Sequence, residues 1–342
     1  MRRRLRLLGL LTATLTGVAL VAGCTSDDPA SDAAAQTGHT TATLDTLDPV
    51  PITADPPAPA LPVTVHSLDG TDVTITDASR IVAADRYGTI AQNVYALGLG
   101  DNLVGRSTAA AFPAIQNVPN VTPGGNSLNA EAILALQPTV FLTDTTIGPK
   151  AVQDQLRAAG VPVVYFDPTR TMANVTPQIT AIADALGVPE QGAALAHRTQ
   201  GEIDAASASV PEQQDKLRIA FVYLRGTAIT MLAGPGSGAD SLIEALDAID
   251  AGTDSGLTQQ FVPITSEAMI AASPDVLLTM TDGLESVGGV DGLQKIPGIA
   301  QTPAGKNERV VDMADSVLLS FGPNTGHVLA ALSAAVYPQQ PQ

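Results

Sequence analysis

The chain has 342 residues, with 34 acidic against 17 basic side chains, one cysteine and 3% aromatic residues. A net charge of −17 repels nucleic acid and anionic lipid headgroups, and so few rings leave no stacking platform for bases, so nucleic-acid partners are excluded. A lone cysteine excludes disulfides and thiolate metal clusters.

The chain opens MRRRLRLLGLLTATLTGVALVAGC, in which Arg2, Arg3, Arg4 and Arg6 precede a 16-residue apolar run from Leu7 to Ala22. That run falls short of the roughly 20 residues a membrane-spanning helix needs. Its basic-then-apolar order predicts a secretory signal peptide over residues 1–23. The run ends Val21-Ala22-Gly23-Cys24, which resembles the lipobox of bacterial lipoproteins and makes Cys24 the expected lipidation site. An ordinary signal peptide that happens to contain a cysteine is the alternative. Loss of the leader removes four arginines and no acid, which deepens the net charge to −21. Membrane contact is then expected through the lipid alone, on the outer face of the cytoplasmic membrane. Residues 24–57 carry few large apolar side chains, and a disordered tether is expected there.

The mature remainder is long enough for two domains. VTVHSLDGTDVTITD alternates with period two around Asp69-Gly70 and predicts a β-hairpin. Short apolar strands then alternate with helices: IVAAD, GTIAQNVYALGLG, NAEAILAL, PTVFLTD, PKAVQDQLRAAG and VPVVYFD. This is the punctuation of a parallel sheet covered by helices. A second set begins at RIAFVYLRG and continues through GADSLIEALDAIDAG, SEAMIAASP and DVLLTM to a last helix near GHVLAALSAAVY. NAEAILALQPTVFLT (129–143) and TSEAMIAASPDVLLT (265–279) align without gaps, with 7 of 15 positions identical, so the halves read as related α/β lobes. Between them, a helix is predicted over 189–210, with Pro189 at its start and Pro211 beyond its end. The fold class is therefore α/β: two lobes with mainly parallel sheets (58–188 and 211–342), joined by one long helix, with a ligand cleft between them.

FVYLRG holds one of only five tyrosines in the chain. Residues i and i+2 of a strand share a face, so Tyr223 and Arg225 point the same way. Ligands of open α/β sheets bind beyond the carboxyl ends of strands, where these two fall. Tyrosinate is an axial ligand of haem iron, and a neighbouring guanidinium favours the anion of a phenol that ordinarily ionises near 10. A rim tyrosine beside a solvated arginine is the alternative that spacing alone leaves open.

The stretches ALGLGDNLVGR, LNAEAILALQPTVFLTD, QLRAAGVPVV, LRGTA, GPGSGADSLIEAL, TDGLESVGGVDGL and QTPAGKNERVVDMADSVLLSFGPNTGHVL resemble the substrate-binding lipoproteins of bacterial ABC importers, in the class with a rigid interlobe helix. GLESVGGVDGL and SFGPNT are most similar to the haem-binding members. The resemblance implies a non-enzymatic carrier whose cargo is haem b, with Tyr223 on the iron and Arg225 behind it. It also implies that Met280 lies near the haem and that Tyr87, where relatives carry a small residue, lines the cleft. Some relatives place a histidine ligand where this chain has Asn126. Glu131 and Glu267, the glutamates of the repeated segment, match residues that dock with arginines of the permease dimer, which works with its ATPase. Helix-end stabilisation is their other reading.

GPGSGAD lacks the spacing and the lysine of a phosphate loop and reads as a loop leading into a helix. His39, His66, His197 and His327 are scattered in sequence, which argues against a three-histidine metal site. Two alternatives to haem capture stand at this level. One is a receptor of the same fold for a ferric siderophore or corrinoid; the other is an envelope enzyme or assembly lipoprotein.

Overall fold

The computed structural model describes residues 37–212 and 214–338; the signal peptide and Cys24 lie outside the described residues. Strand β1 (His39–Ala42) is followed by the hairpin β2 (Val63–His66) and β3 (Asp72–Ile75), whose antiparallel register sets Val63 opposite Ile75. The N-terminal lobe is then built on β4 (Ile81–Ala84), β5 (Leu103–Arg106), β6 (Val140–Thr143) and β7 (Val163–Tyr165), a fully parallel sheet in the order β5-β4-β6-β7. Every residue of β4 and β6 is buried. Helices cover both faces of such strands, which is why they read as unbroken apolar runs rather than alternating ones.

The C-terminal lobe contains β8 (Arg218–Arg225), β9 (Ile229–Ala233), β10 (Ile249–Asp250), β11 (Phe261–Pro263), β12 (Val276–Met280) and β13 (Val310–Met313). Its sheet runs β1-β13-β12-β8-β9-β11, with β10 also on β8. The β1–β13–β12–β8 part is parallel, whereas β9 and β11 add antiparallel strands at one side. GADSLIEALDAIDAG is not one helix: a helix ends at Ala245, Asp247 takes a φ of 55°, and β10 precedes a second helix, Ala251–Asp254.

The tether expected over residues 24–57 is corrected for its described part. β1 extends the C-terminal sheet beside β13, with His39 opposite Val310. The His39 ring nitrogen lies 2.6 Å from the buried Asp312, and the Thr41 hydroxyl donates to the same carboxylate at 2.8 Å. A scarcity of large apolar side chains does not prevent an edge strand. An edge strand is held chiefly by its backbone, because the sheet it joins offers a row of unpaired N–H and C=O groups. The segment then crosses to the other lobe. Leu47 O accepts from Asn324 and Val50 O from Arg198, while Asp48 accepts from Ala114 N and Ile52 N donates to Ala96 O. The strap is thus a second crossing between lobes.

The first crossing in the expected place is the helix Pro189–Ser209, whose 21 residues span roughly 31 Å at 1.5 Å per residue. Two glycine contacts fix its seat. A Cβ on Gly192 would lie 2.4 Å from Ala183 Cβ of the N-terminal lobe, and one on Gly326, in the last helix Thr325–Val336, would lie 2.6 Å from the Glu202 carbonyl carbon. Both neighbours therefore approach the long helix more closely than any larger residue permits.

Candidate functional site

The strands β4, β5, β8, β12 and β13 all end at one cavity of about 670 Å³ between the lobes, a size typical of small-molecule and cofactor sites. Arg86, Tyr87, Thr108, Ala109, Ala111, Gly125 and Asn126 line it from the N-terminal lobe. Tyr223, Arg225, Met231, Phe261, Met280, Asp282, Asp315, Ser316 and Leu319 line it from the other. The fold therefore brings together Tyr87, Asn126, Tyr223, Arg225 and Met280, which lie up to some two hundred positions apart in sequence.

Tyr223 and Arg225 are the half-buried residues at the end of β8, and Leu224 between them is buried, as the two-residue period requires. The Tyr223 ring meets Phe261 edge-on, with centroids 6.2 Å apart at 64°. Its phenolic oxygen has no hydrogen-bond partner among the described residues. The Arg225 guanidinium carbon sits 4.7 Å from the Tyr223 ring centroid, a cation–π contact rather than a hydrogen bond to the phenol. Its N–H groups donate to Leu224 O at 2.8 Å and Asp315 at 2.7 Å, with the Met280 sulfur 3.9 Å away. Burial pushes the Asp315 carboxyl up, and Arg225 opposes that push.

The N-terminal lobe repeats this device. The buried Arg170 guanidinium carbon lies 4.5 Å over the Tyr87 ring and pairs with Asp144 at 3.3 Å and Asp85 at 3.6 Å. Asp85 also accepts from Tyr87 N and Ile90 N, at 2.8 and 2.9 Å, which fixes the turn that presents Tyr87. Burial raises the Tyr87 phenol above 10, so it keeps its proton at neutral pH. Each lobe thus offers the cavity a tyrosine ring backed by an arginine that carboxylates hold.

Two carboxylates share Arg170, and Asp144 is pushed from 3.8 to about 6, first by burial and then by Asp85. The folded protein therefore holds a proton between these values that the unfolded chain has lost, so Asp144 favours folding below about 3.8 and that contribution is gone above about 6. Replacing Asp144 with asparagine is expected to raise the thermal midpoint relative to the unaltered protein at pH 7 and to do little at pH 4. Equal effects at both pH values in parallel melts would contradict the shift.

Arg170, Asp85, Asp144 and Asp315, with Met231 and Phe261, escaped sequence reasoning. Asp85 accepts from Thr89 N and Ile90 N at the start of the helix Thr89–Val94, but it stands four residues before Thr89, outside the N-cap position that a sequence motif marks. ITMLA after the turn at Gly226 had the short apolar character of a second hairpin strand, which carries Met231. Arg170 had no such signal, because it sits in a loop and only the fold brings it to Tyr87.

The family model for periplasmic binding proteins matches residues 84–317, which covers both walls of the cavity. The chain belongs to the periplasmic binding protein family. A solved structure of the haem-binding protein HmuT superposes with a TM-score of 0.85 at 42% identity, over 89% of this chain and 98% of that one. HmuT has also been solved as alanine variants of a tyrosine and of an arginine two positions after it, the spacing of Tyr223 and Arg225. The uncharacterized ABC transporter substrate-binding lipoprotein YvrC of Bacillus subtilis (strain 168) is 25% identical over 283 residues, 81% of this chain and 86% of that protein. The vitamin B12-binding protein of Yersinia pestis (strain Pestoides F) is 32% identical over 114 residues, 33% of this chain and 40% of that protein.

In this periplasmic binding protein the repeated glutamates take equivalent places. Glu131 and Glu267 are exposed, each the second residue of a helix (Ala130–Ala135 and Ser266–Ala272) that leads into a lobe's central strand. Neither carboxylate has a partner among the described residues. The caps are supplied instead by Asn129, which accepts from Ala132 N at 3.0 Å, and Thr265, which accepts from Ala268 N at 3.1 Å. GPGSGAD cradles an anion of its own: Gly236 N and Gly238 N donate to Asp240 at 2.6 and 2.9 Å. No cluster of three metal-ligating side chains occurs among the described residues.

Proposed function

We propose that this protein captures haem in the interlobe cavity, with the Tyr223 phenolate on ferric iron and Arg225 behind it, and hands it to an ABC permease driven by its ATPase. One observation carries the reading: a tyrosine whose hydroxyl has no protein partner faces the cavity under a guanidinium, at the same tyrosine-to-arginine spacing as in a 42% identical haem-binding protein. A neutral ligand from the opposite wall is not expected to complete the iron. Tyr87 keeps its proton, and the Asn126 amide is a poor donor to ferric iron, so five-coordinate, high-spin haem is the expected state. Titration of the apo-protein with hemin, followed by visible absorption, tests this. Saturable binding with a charge-transfer band in the red is expected. Binding of cyanocobalamin in place of hemin would assign the site to corrinoids.

The protein is placed in the cell envelope by its family, and the lipidated Cys24 is proposed as its anchor. Cys24→Ala is expected to release the protein from the membrane fraction into the medium, and its retention there would refute the anchor.

A further inference from the structure

Four charged side chains line the cavity: Arg86, Arg225, Asp282 and Asp315. Arg225 pairs with Asp315 at 2.7 Å, which leaves the C-terminal wall with the exposed Asp282, whose carboxylate has no ion pair among the described residues. On the opposite wall stands Arg86, next to Tyr87 at the end of β4. Its guanidinium touches only Thr146 O, at 3.2 Å, and it has no ion pair among the described residues. The cavity is thus electrically polar across its width, with a free cation on one lobe and a free anion on the other. The chain around it is strongly acidic and repels an anionic ligand unless a local cation receives it.

We propose that Arg86 binds the carboxylates of the ligand and so fixes which edge of it meets the N-terminal lobe. This rests on the haem reading. Haem carries two propionates on one edge of an otherwise apolar disc, and the planar fork of a guanidinium matches a carboxylate through two parallel hydrogen bonds. With the iron on Tyr223, the disc has one rotational freedom left, in its own plane. Arg86 and Asp282 remove it by attracting the propionate edge from one side and repelling it from the other. Arg86 is a specificity residue: it selects a dianionic porphyrin over one whose acid groups are masked. Because Arg86 is exposed, salt is expected to weaken the selection.

The test compares hemin with hemin dimethyl ester in absorption titrations of the unaltered protein, Arg86→Gln and Arg86→Lys. The unaltered protein is expected to prefer the free acid by about tenfold, the worth of a charge-assisted contact at a partly solvated site. Arg86→Gln is expected to bring the two affinities together, and Arg86→Lys to keep most of the preference. The charge-transfer band is expected to stay unchanged in all three, because the iron ligand is untouched. Equal binding of both porphyrins by the unaltered protein, or an undiminished preference in Arg86→Gln, would overturn the role of Arg86 and leave haem capture standing. Failure of the unaltered protein to bind hemin at all would remove haem capture, and this inference with it.

Discussion

Tyr223→Ala is expected to abolish the red charge-transfer band of the haem complex and to weaken haem binding more than any other single change in the cavity. The band arises from a phenolate on ferric iron, and Tyr223 lines the cavity with a phenolic oxygen that has no competing hydrogen bond among the described residues. Removing an outer-sphere partner of a metal ligand costs roughly 10- to 100-fold in affinity, and removing the ligand itself should exceed that. Arg225→Ala separates the two effects. Its guanidinium lies over the Tyr223 ring at 4.7 Å, where a cation stabilises the phenolate without touching its oxygen. Without it the iron-bound phenolate loses a neighbouring cation, so the band should persist while haem affinity falls. Tyr223 and Arg225 are only half-buried at the end of β8, so a folding defect is not expected; circular dichroism checks this. If Tyr223→Ala kept the spectrum and affinity of the unaltered protein, Tyr223 would not be the ligand, and Tyr87→Ala would be the next variant to make.

What the sequence made legible was local. The repeated helix-Pro-strand segment revealed the two lobes because a capping residue, an amphipathic turn and a buried strand are each written within 15 residues. The same-face rule put Tyr223 and Arg225 together before any packing was known. The positions that escaped depend on partners distant in sequence. β1 forms only because β13, some 270 residues later, presents an edge, and Arg170 reaches Tyr87 only once two βα units have folded. Asp315 captures Arg225 across 90 positions. Spacing along one strand could not show that Asp315 holds the guanidinium that lies over the Tyr223 ring face. Composition misled at residues 39–57 for a related reason: the strap borrows its stability from surfaces that the rest of the chain supplies.

Glu131→Lys combined with Glu267→Lys is expected to leave haem binding intact and to abolish uptake in cells. The two glutamates occupy the same place in the two lobes, at the second position of a helix that precedes a central strand. Both are exposed and unpaired among the described residues, and Asn129 and Thr265 already satisfy the helix N-termini. Their remaining contribution to folding is the dipole term, worth about 0.3–1 kcal/mol each. Charge reversal at both sites should therefore lower the thermal midpoint by only a few degrees for a chain of this size. A partner with basic groups at two equivalent positions, such as a permease dimer, would experience attraction turned into repulsion at both contacts. Rim charges of this kind govern encounter rate and salt dependence, so uptake by the unaltered protein should fall as ionic strength rises, and either single reversal should give an intermediate rate. Permease with acidic residues substituted at its docking positions should recover part of the uptake of the double variant. A normal uptake rate in the double variant would leave the glutamates as helix-end charges and nothing more.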